Sequence, residues 1–174
     1  MLQGGIEGWK AIQGKVTQEI PKKTTTEFTL SKNPSMKYAI SKEGVLNAIN
    51  NKVVIVDTRS LDEFSGKQQK KGASKAGRIP TSIHIDWAKA INFHGNQALK
   101  SIETLAEFYA KKLKVTKNDS IILYCHSGVR SAHTTFVLTQ LLGYKNVKNY
   151  DGSWTEWSYF NDLPFTNGSL TTIN

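Results

Sequence analysis

The chain has 174 residues, of which 39% are hydrophobic and 21% are charged. A chain of this length and composition suits one soluble globular domain and is short for two. No apolar run approaches the roughly eighteen residues that cross a bilayer, and the N-terminus lacks the pattern of a signal peptide, so we expect a cytoplasmic protein with no membrane partner.

The formal net charge of +9 suggests an anionic partner. One local cluster of basic residues contains Lys67, Lys70, Lys71 and Lys75. No aromatic side chains are interleaved with it, so a stacking surface for nucleic acid is not indicated. We interpret the cluster as a solvated basic loop, with help in collecting an anionic substrate as the alternative, and we expect no nucleic-acid partner.

The predicted elements begin after a polar segment. Residues 17–36 are Thr-rich and contain Pro21 and Pro34, which predicts an extended linker. Strand and helix patterns then alternate along the chain. The predicted strands are 38–40, 53–56, 82–85, 121–124 and 147–150. The predicted helices are 41–48, capped by Ser41, then 101–114, capped by Ser101, then 131–142, and a short aromatic helix from residue 153.

This alternation predicts an α/β fold in which helices cover both faces of a parallel sheet. Reactive groups in such sheets gather where strands end and helices begin. Asp57 ends one buried apolar run, and Cys125 directly follows another. These two positions are therefore the first candidates for a functional site.

Cys125 is the sole cysteine, so the chain forms no internal disulfide, and the thiol is either a small buried hydrophobe or a nucleophile. The segment that starts with it is Cys125, His126, Ser127, Gly128, Val129, Arg130 and Ser131. A loop of this kind can direct successive N–H groups at one point, and the following helix adds the positive end of its dipole. Both effects stabilise a thiolate or a persulfide at Cys125.

Arg130 adds a cation to this loop. It suits an anionic donor such as a sulfonate or a carboxylate, with a salt bridge to an acidic group of a helix as the alternative. The C-x4-R spacing is one residue shorter than the C-x5-R loop with which cysteine phosphatases surround a phosphate, so a phosphatase or an arsenate reductase with a shortened loop is the weaker alternative. His84 and His94 are isolated, and we expect neither a metal nor a cofactor.

Four motifs in order resemble the rhodanese family, and in particular the C-terminal domain of tandem-domain sulfurtransferases. They are Asp57-Thr58-Arg59 with Glu63-Phe64-Ser65-Gly66, then Gly77-Arg78-Ile79-Pro80 with Ile83-His84-Ile85, then the loop from Cys125 to Ser131, and finally Asp151-Gly152-Ser153-Trp154-Thr155-Glu156-Trp157. The resemblance implies a three-layer rhodanese-like fold. It also implies that thiosulfate or 3-mercaptopyruvate donates sulfur to Cys125, which forms a persulfide.

The resemblance implies roles for further residues and partners. The loop from His126 to Ser131 forms the anion cradle, Ser131 caps the helix or donates to the sulfur, and Asp57 and Arg59 support the site. The acceptor is expected to be cyanide or a thiol such as thioredoxin or glutathione. A persulfide carrier or a protein-docking module is the alternative to a free enzyme.

The N-terminal residues 2–10 resemble the end of a rhodanese domain and faintly repeat residues 151–157. We therefore expect residues 1–16 to be the tail of an upstream rhodanese domain, 17–36 a linker, 37–166 the catalytic domain and 167–174 a C-terminal tail.

Three departures from the family pattern bear on the site. Arg78 replaces the usual His, and Thr81 replaces the usual Gly, so the turn there is expected to differ. Glu63 stands where the vertebrate enzymes have an arginine that contacts the substrate, which puts their donor preference in doubt for this chain.

Overall fold

The computed structural model describes residues 4–168. Its centre is a four-stranded parallel sheet. The strands are β1 (Val54–Asp57), β2 (Ile83–His84), β3 (Ser120–Tyr124) and β4 (Asn146–Asn149). They lie in the order β2-β1-β3-β4, which places the two long apolar strands at the centre.

Six α-helices surround the sheet in the described part of the chain. They are α1 (Gly5–Ala11), α2 (Lys42–Asn50), α3 (Leu61–Ser65), α4 (Ile102–Leu113), α5 (Val129–Phe136) and α6 (Ser153–Trp157). A 3-10 turn spans Trp87–Ala90, and α5 continues into a π-helical turn, Val137–Leu141. None of the helices in residues 4–168 is long and apolar enough to cross a membrane.

Each face of the sheet carries its own core. Successive residues of a strand point to opposite faces, so Ile121 and Leu123 enter one core while Ile122 and Tyr124 enter the other. The first core is completed by α4 and the π turn through Leu105, Tyr109, Leu113, Val137 and Leu138. The second is completed by α2 and α6 through Val45, Ala48, Trp154 and Trp157. The predicted α/β fold with a parallel sheet between helices is confirmed.

Most of the predicted elements are present with small changes of boundary. Ser41 and Ser101 cap α2 and α4 as expected, because their hydroxyls accept the N–H groups of Gly44 and Thr104. The predicted strand 38–40 is reduced to a single parallel bridge between Ala39 and Asn149 at the edge of β4.

Other boundaries differ more. The strand predicted for 53–56 is shifted by one residue to Val54–Asp57, so that Asp57 is the polar residue at its C-terminal end, as expected. The helix predicted for 131–142 starts at Val129 and loses its α-helical pattern after Phe136. Because Ser131 is the third residue of α5, it does not cap that helix, and Gly128 occupies the cap position. Three short elements, α1, α3 and the 3-10 turn, were not predicted.

The predicted linker contains no helix or strand, and the side chains of residues 17–36 are exposed. Residues 1–3 and 169–174, which include most of the predicted C-terminal tail, lie outside the described part of the chain. The division of the chain into tail, linker and catalytic domain stays a prediction.

Candidate active site

Cys125 lies at the carboxyl end of β3, beside the end of β1. The pairing of Asp57 with Tyr124 and the hydrogen bond from Thr58 N to Tyr124 O (2.9 Å) bring the two strand ends together. The sulfur is almost enclosed, since Cys125 is 1% exposed. The two positions predicted from the chain pattern are therefore neighbours in the fold.

The surroundings of Cys125 favour its thiolate. Burial acts to raise the pKa of the thiol, but hydrogen bonds from the Ser131 hydroxyl and from the backbone N–H groups of Ser131, Ser127 and Arg130 outweigh it, and the pKa is lowered. The Ser131 hydroxyl has a single proton, and it also donates to the carbonyl oxygen of Gly128 at 2.9 Å. The sulfur and this carbonyl therefore compete for the same donor. The backbone N–H groups, whose direction is fixed by the loop, are thus the constant donors to the sulfur.

Ser153 holds the loop from behind. Its Oγ accepts the backbone N–H groups of Cys125 (3.1 Å) and Gly128 (3.0 Å) and donates to Tyr150 O (2.7 Å). The N–H of Gly128, expected to be part of the anion cradle, is therefore directed at Ser153 instead. Two loop N–H groups are used in this way. Those directed at the Cys125 sulfur belong to Ser127, Arg130 and Ser131, and the N–H groups of His126 and Val129, also expected in the cradle, are not among them.

The first residues of α6 complete this support. Trp154 N donates to Cys125 O (3.0 Å), and Thr155 N donates to His126 O (2.9 Å). The Thr155 hydroxyl contacts the same His126 oxygen. With these carbonyl groups bonded to α6, the amide planes of the loop are fixed, which preorganises its N–H groups around the sulfur.

Gly128 gives the loop its shape. Its φ of +81° lies in the left-handed region, and a Cβ at this position would lie 2.2 Å from Asp151 Oδ1 and 2.8 Å from Asp151 O. A side chain is therefore excluded by both conformation and space. Asn149 Nδ2 also donates to the Gly128 carbonyl at 3.4 Å.

Arg130 forms a bidentate salt bridge with Glu63 of α3. Arg130 Nη1 lies 2.7 Å from Glu63 Oε2, and Nη2 lies 2.8 Å from Oε1. Burial opposes ionisation of Glu63, but the hydrogen bonds and charge of Arg130, with hydrogen bonds from Ser60, lower its pKa to about 2. Arg130 was predicted to contact a donor, with a salt bridge as the alternative, and in this structure it is paired.

Asp57 and Arg59 form a second ion pair, fully inside the protein. Arg59 Nη2 lies 2.6 Å from Asp57 Oδ2, and the same nitrogen donates to Gly77 O at 2.8 Å. The guanidinium also lies over the Trp154 ring, 5.1 Å from its centroid. This pair connects β1, the 77–80 segment and α6, and Trp154 is buried in the core. The supporting role of the pair in catalysis stays a prediction.

The remaining loop side chains point to different surroundings. His126 Nε2 lies 3.0 Å from Lys71 O, which joins the active-site loop to the basic segment. Burial is the main cause that lowers the pKa of His126, which favours the neutral form of the ring. Val129 is 74% exposed and presents an apolar surface beside the site. His133 of α5 packs against Trp87 rather than against Cys125.

Sequence reasoning missed the role of two residues in this site. Ser153 was part of a quoted motif, but nothing in its local sequence reveals that it accepts hydrogen bonds from residues 25 and 28 positions away. Glu63 follows Ser60 in an S-x-x-E pattern, and the structure has the capping box that this pattern predicts. The described residues contain no group of three or more His, Cys, Asp or Glu side chains arranged to hold a metal ion.

Comparison with known proteins gives the family. The model of the rhodanese-like domain matches residues 41–159, which include the Cys125 loop, both ion pairs and Ser153. The chain belongs to the rhodanese family. A relative from Saccharopolyspora erythraea, named "Putative thiosulfate sulfurtransferase", is 39% identical over 96% of this chain and 60% of its own length. The "Putative thiosulfate sulfurtransferase SseA" of Mycobacterium bovis is 36% identical over 97% of this chain and 57% of its own length.

Solved structures agree on the rhodanese fold. EanB, solved as the wild type and as a variant with ergothioneine, superposes with a TM-score of 0.83 and 22% identity, covering 97% of this chain and 41% of EanB. At that identity the likeness concerns the fold alone. Compared with the curated relatives, the chain spans about 60% of their length.

Proposed function

We propose that this rhodanese domain is a sulfurtransferase that moves a sulfane sulfur from thiosulfate or 3-mercaptopyruvate to a thiol or to cyanide through a persulfide on Cys125. The observation that carries the proposal is the enclosed Cys125 sulfur, faced by backbone N–H groups of Ser127, Arg130 and Ser131. The names of the curated relatives support the same reaction class.

The proposed reaction has two balanced half-reactions. The Cys125 thiolate attacks the outer sulfur of thiosulfate, an S–S bond forms to Cys125 while the S–S bond of thiosulfate breaks, and sulfite leaves with the electron pair. With 3-mercaptopyruvate, the C–S bond breaks and the carbon takes up a proton as pyruvate leaves. An acceptor thiolate or cyanide then attacks the outer persulfide sulfur and restores the thiolate. Two such steps predict ping-pong kinetics.

The same N–H groups serve both stages of this reaction. A persulfide carries its negative charge on the outer sulfur, one bond further from Cys125. Fixed N–H dipoles at the carboxyl end of β3 and the N-terminal dipole of α5 stabilise that charge without neutralising it chemically. These dipoles also reduce the repulsion between the outer sulfur and an anionic acceptor, and they stabilise the Cys125 thiolate that the attack releases.

Two aspects of the proposal go beyond the single domain. Thioredoxin and glutathione are the thiol acceptors that we propose, and delivery of the persulfide to a partner protein is the alternative to turnover with free substrates. We also propose that residues 37–166 are the catalytic unit and that residues 1–16 are the tail of an upstream rhodanese domain. The greater length of the relatives supports this division.

A phosphatase or arsenate reductase is less well supported. The spacing between Cys125 and Arg130 is one residue shorter than in the phosphatase loop. Both terminal nitrogens of Arg130 also donate to Glu63, which leaves them less available to an oxyanion.

Intact mass spectrometry tests the proposal directly. The chain is incubated with thiosulfate, with 3-mercaptopyruvate or with neither, beside the variant Cys125→Ala. We expect a gain of one sulfur mass (about 32 Da) that a reducing agent removes and that the variant lacks. A chain that gains no sulfur from either donor would contradict the proposal, and a phosphatase assay would then follow.

A further inference from the structure

The Glu63–Arg130 pair makes Glu63 part of the electrostatic environment of Cys125. Arg130 belongs to the Cys125 loop and is bonded to Glu63 through both terminal nitrogens. The hydrogen bond to Glu63 is the main cause that raises the pKa of Arg130, and the charge of the Cys125 sulfur adds to it, so the guanidinium lies within electrostatic reach of both groups. The Glu63 side chain is only 5% exposed, and that of Arg130 is 19% exposed. Water screens this pair less than it screens a surface salt bridge, so the carboxylate charge acts strongly on its neighbours.

The two arginines around Cys125 are each paired with a carboxylate. Arg130 is matched by Glu63, and Arg59 is matched by Asp57, which is completely buried. The sulfur is therefore stabilised by backbone dipoles, while the two arginines closest to the loop carry no excess positive charge. A ligand that enters with its own negative charge meets a thiolate and a pair of net charge zero.

Resting on the proposed function, we propose that Glu63 sets the charge selectivity of the site: by neutralising Arg130, it favours a sulfur donor with one negative charge over a dianion. Thiosulfate is a dianion at neutral pH, whereas 3-mercaptopyruvate, which has one carboxylate and a thiol, carries about one negative charge. The expected donors are therefore monoanions.

Glu63 acts through Arg130 and is a positioning residue, so its electrostatic role must be separated from its structural role. Its backbone N–H and its carboxylate also form the capping box with Ser60. Glutamine satisfies the same capping pattern without the charge. Glu63→Gln therefore removes the charge and leaves the N-terminus of α3 capped.

The first measurement uses alkylating agents, because they report on Cys125 whether or not the protein transfers sulfur. Iodoacetate is an anion and iodoacetamide is neutral, and both react with the same thiolate. The ratio of their rate constants, at about 0.15 M ionic strength to screen distant charges, isolates the local field. Removing a charge within several ångströms of a partly buried site changes such a ratio roughly tenfold or more.

We expect Glu63→Gln to raise the iodoacetate-to-iodoacetamide ratio about tenfold. The double variant Glu63→Gln/Arg130→Gln removes both charges of the pair and should return the ratio to near the wild-type value. Glu103→Gln makes the same change of net charge in the first turn of α4, where the side chain is exposed, and should leave the ratio unchanged. An unchanged ratio in a folded Glu63→Gln protein would overturn the inference.

The wild-type protein gives a second test that needs no variant. Its ratio should be no higher than that of free cysteine under the same conditions, since a site with an uncompensated arginine would favour the anion. A wild-type ratio tenfold above that of free cysteine would overturn the inference even if Glu63→Gln failed to fold.

Kinetics with the two sulfur donors then test whether the charge of Glu63 also changes donor selectivity. In Glu63→Gln, kcat/KM for thiosulfate should rise about tenfold relative to kcat/KM for 3-mercaptopyruvate. If persulfide forms while neither ratio changes, the role of Glu63 is wrong and the sulfurtransferase proposal stands. If the alkylation ratio changes as expected while no donor loads Cys125, the field of Glu63 is supported and the sulfurtransferase proposal fails.

Discussion

Ser153 shows how one residue fixes the shape of the Cys125 loop. Its backbone has φ +53°, a left-handed conformation that is uncommon outside glycine, and its side chain is completely buried. Such strain persists only where the surrounding contacts enforce it. Here the two N–H groups that Ser153 Oγ accepts, together with its own bond to Tyr150 O, provide those contacts.

We predict that Ser153→Ala destabilises the protein by about 1–3 kcal/mol, because two buried N–H groups lose their acceptor. Persulfide formation on Cys125 should also slow at least several-fold, since the loop is no longer held in one shape. Denaturant unfolding and the rate of sulfur uptake measure the two effects.

Ser158→Ala is the matched control for this change. Ser158 is also completely buried and its Oγ accepts Ser74 N at 3.0 Å, but it does not contact the Cys125 loop. It should lose stability without a comparable loss in the rate of sulfur uptake by the folded protein. Equal rates in the two variants would show that Ser153 has no special role in the loop.

At the residue scale, the sequence singles out Cys125 as the proposed nucleophile but does not reveal the residues that support its loop. Cys125 is visible because it follows an apolar run and precedes a glycine-containing loop. The partner of Arg130 lies 67 positions earlier, on a helix of five residues. Only the pairing of β1 with β3 brings that helix beside the loop, so local patterns cannot reveal the ion pair.

At the scale of elements, the turn at 79–82 explains a departure from the family pattern. Pro80 occupies its second position, Thr81 its third with φ +63°, and Ser82 N donates to Ile79 O at 3.3 Å. These are features of a type II turn, whose third position requires positive φ and favours glycine. Thr81 adopts this left-handed conformation although a β-branched residue is strained there.

We predict that Thr81→Gly stabilises the protein by about 1 kcal/mol, because relief of the strain exceeds the greater flexibility of glycine in the unfolded chain. Thr81→Asn should give a smaller gain, since asparagine tolerates the left-handed region better than threonine. Chemical denaturation of the three proteins measures both changes. A Thr81→Gly protein less stable than the wild type would show that the threonine side chain makes a compensating contact.

The elements that sequence patterns predicted well are those with long, continuous signatures. β1 and β3 are buried apolar runs, and α4 has both a cap and helical spacing over twelve residues. Shorter elements depend on contacts made elsewhere: β2 has two residues and is defined by pairing with β1. The end of α5 is irregular where Thr135 and Thr139 donate to the carbonyls of Ser131 and Thr135, a local bonding pattern that commonly bends helices.

At the scale of the whole molecule, excess positive charge lies on the surface beside the site rather than inside it. The basic segment that contains Lys67, Lys70, Lys71 and Lys75 is joined to the active-site loop by the contact between Lys71 O and His126. Inside the site, by contrast, the arginines are paired with carboxylates. The surface can therefore attract anions from a distance, while the interior discriminates among them by charge.

This division of roles predicts a salt dependence that differs between donors and neutral reagents. Sulfur uptake from thiosulfate at low donor concentration should slow several-fold between about 0.01 M and 0.5 M salt, because the Debye length shortens from about 30 Å to a few ångströms. Alkylation of Cys125 by neutral iodoacetamide should change little over the same range. Stopped-flow or quenched mass measurements give both rates.

The double variant Lys70→Glu/Lys71→Glu locates the charge responsible. Both side chains are exposed beside the site, and the variant should lose most of the salt dependence and take up sulfur from thiosulfate about five- to tenfold more slowly at low salt. Lys111→Glu/Lys112→Glu changes the net charge equally on the exposed part of α4 and should have a much smaller effect. If both double variants slowed uptake equally, the net charge of the molecule, rather than the basic segment, would guide the donor.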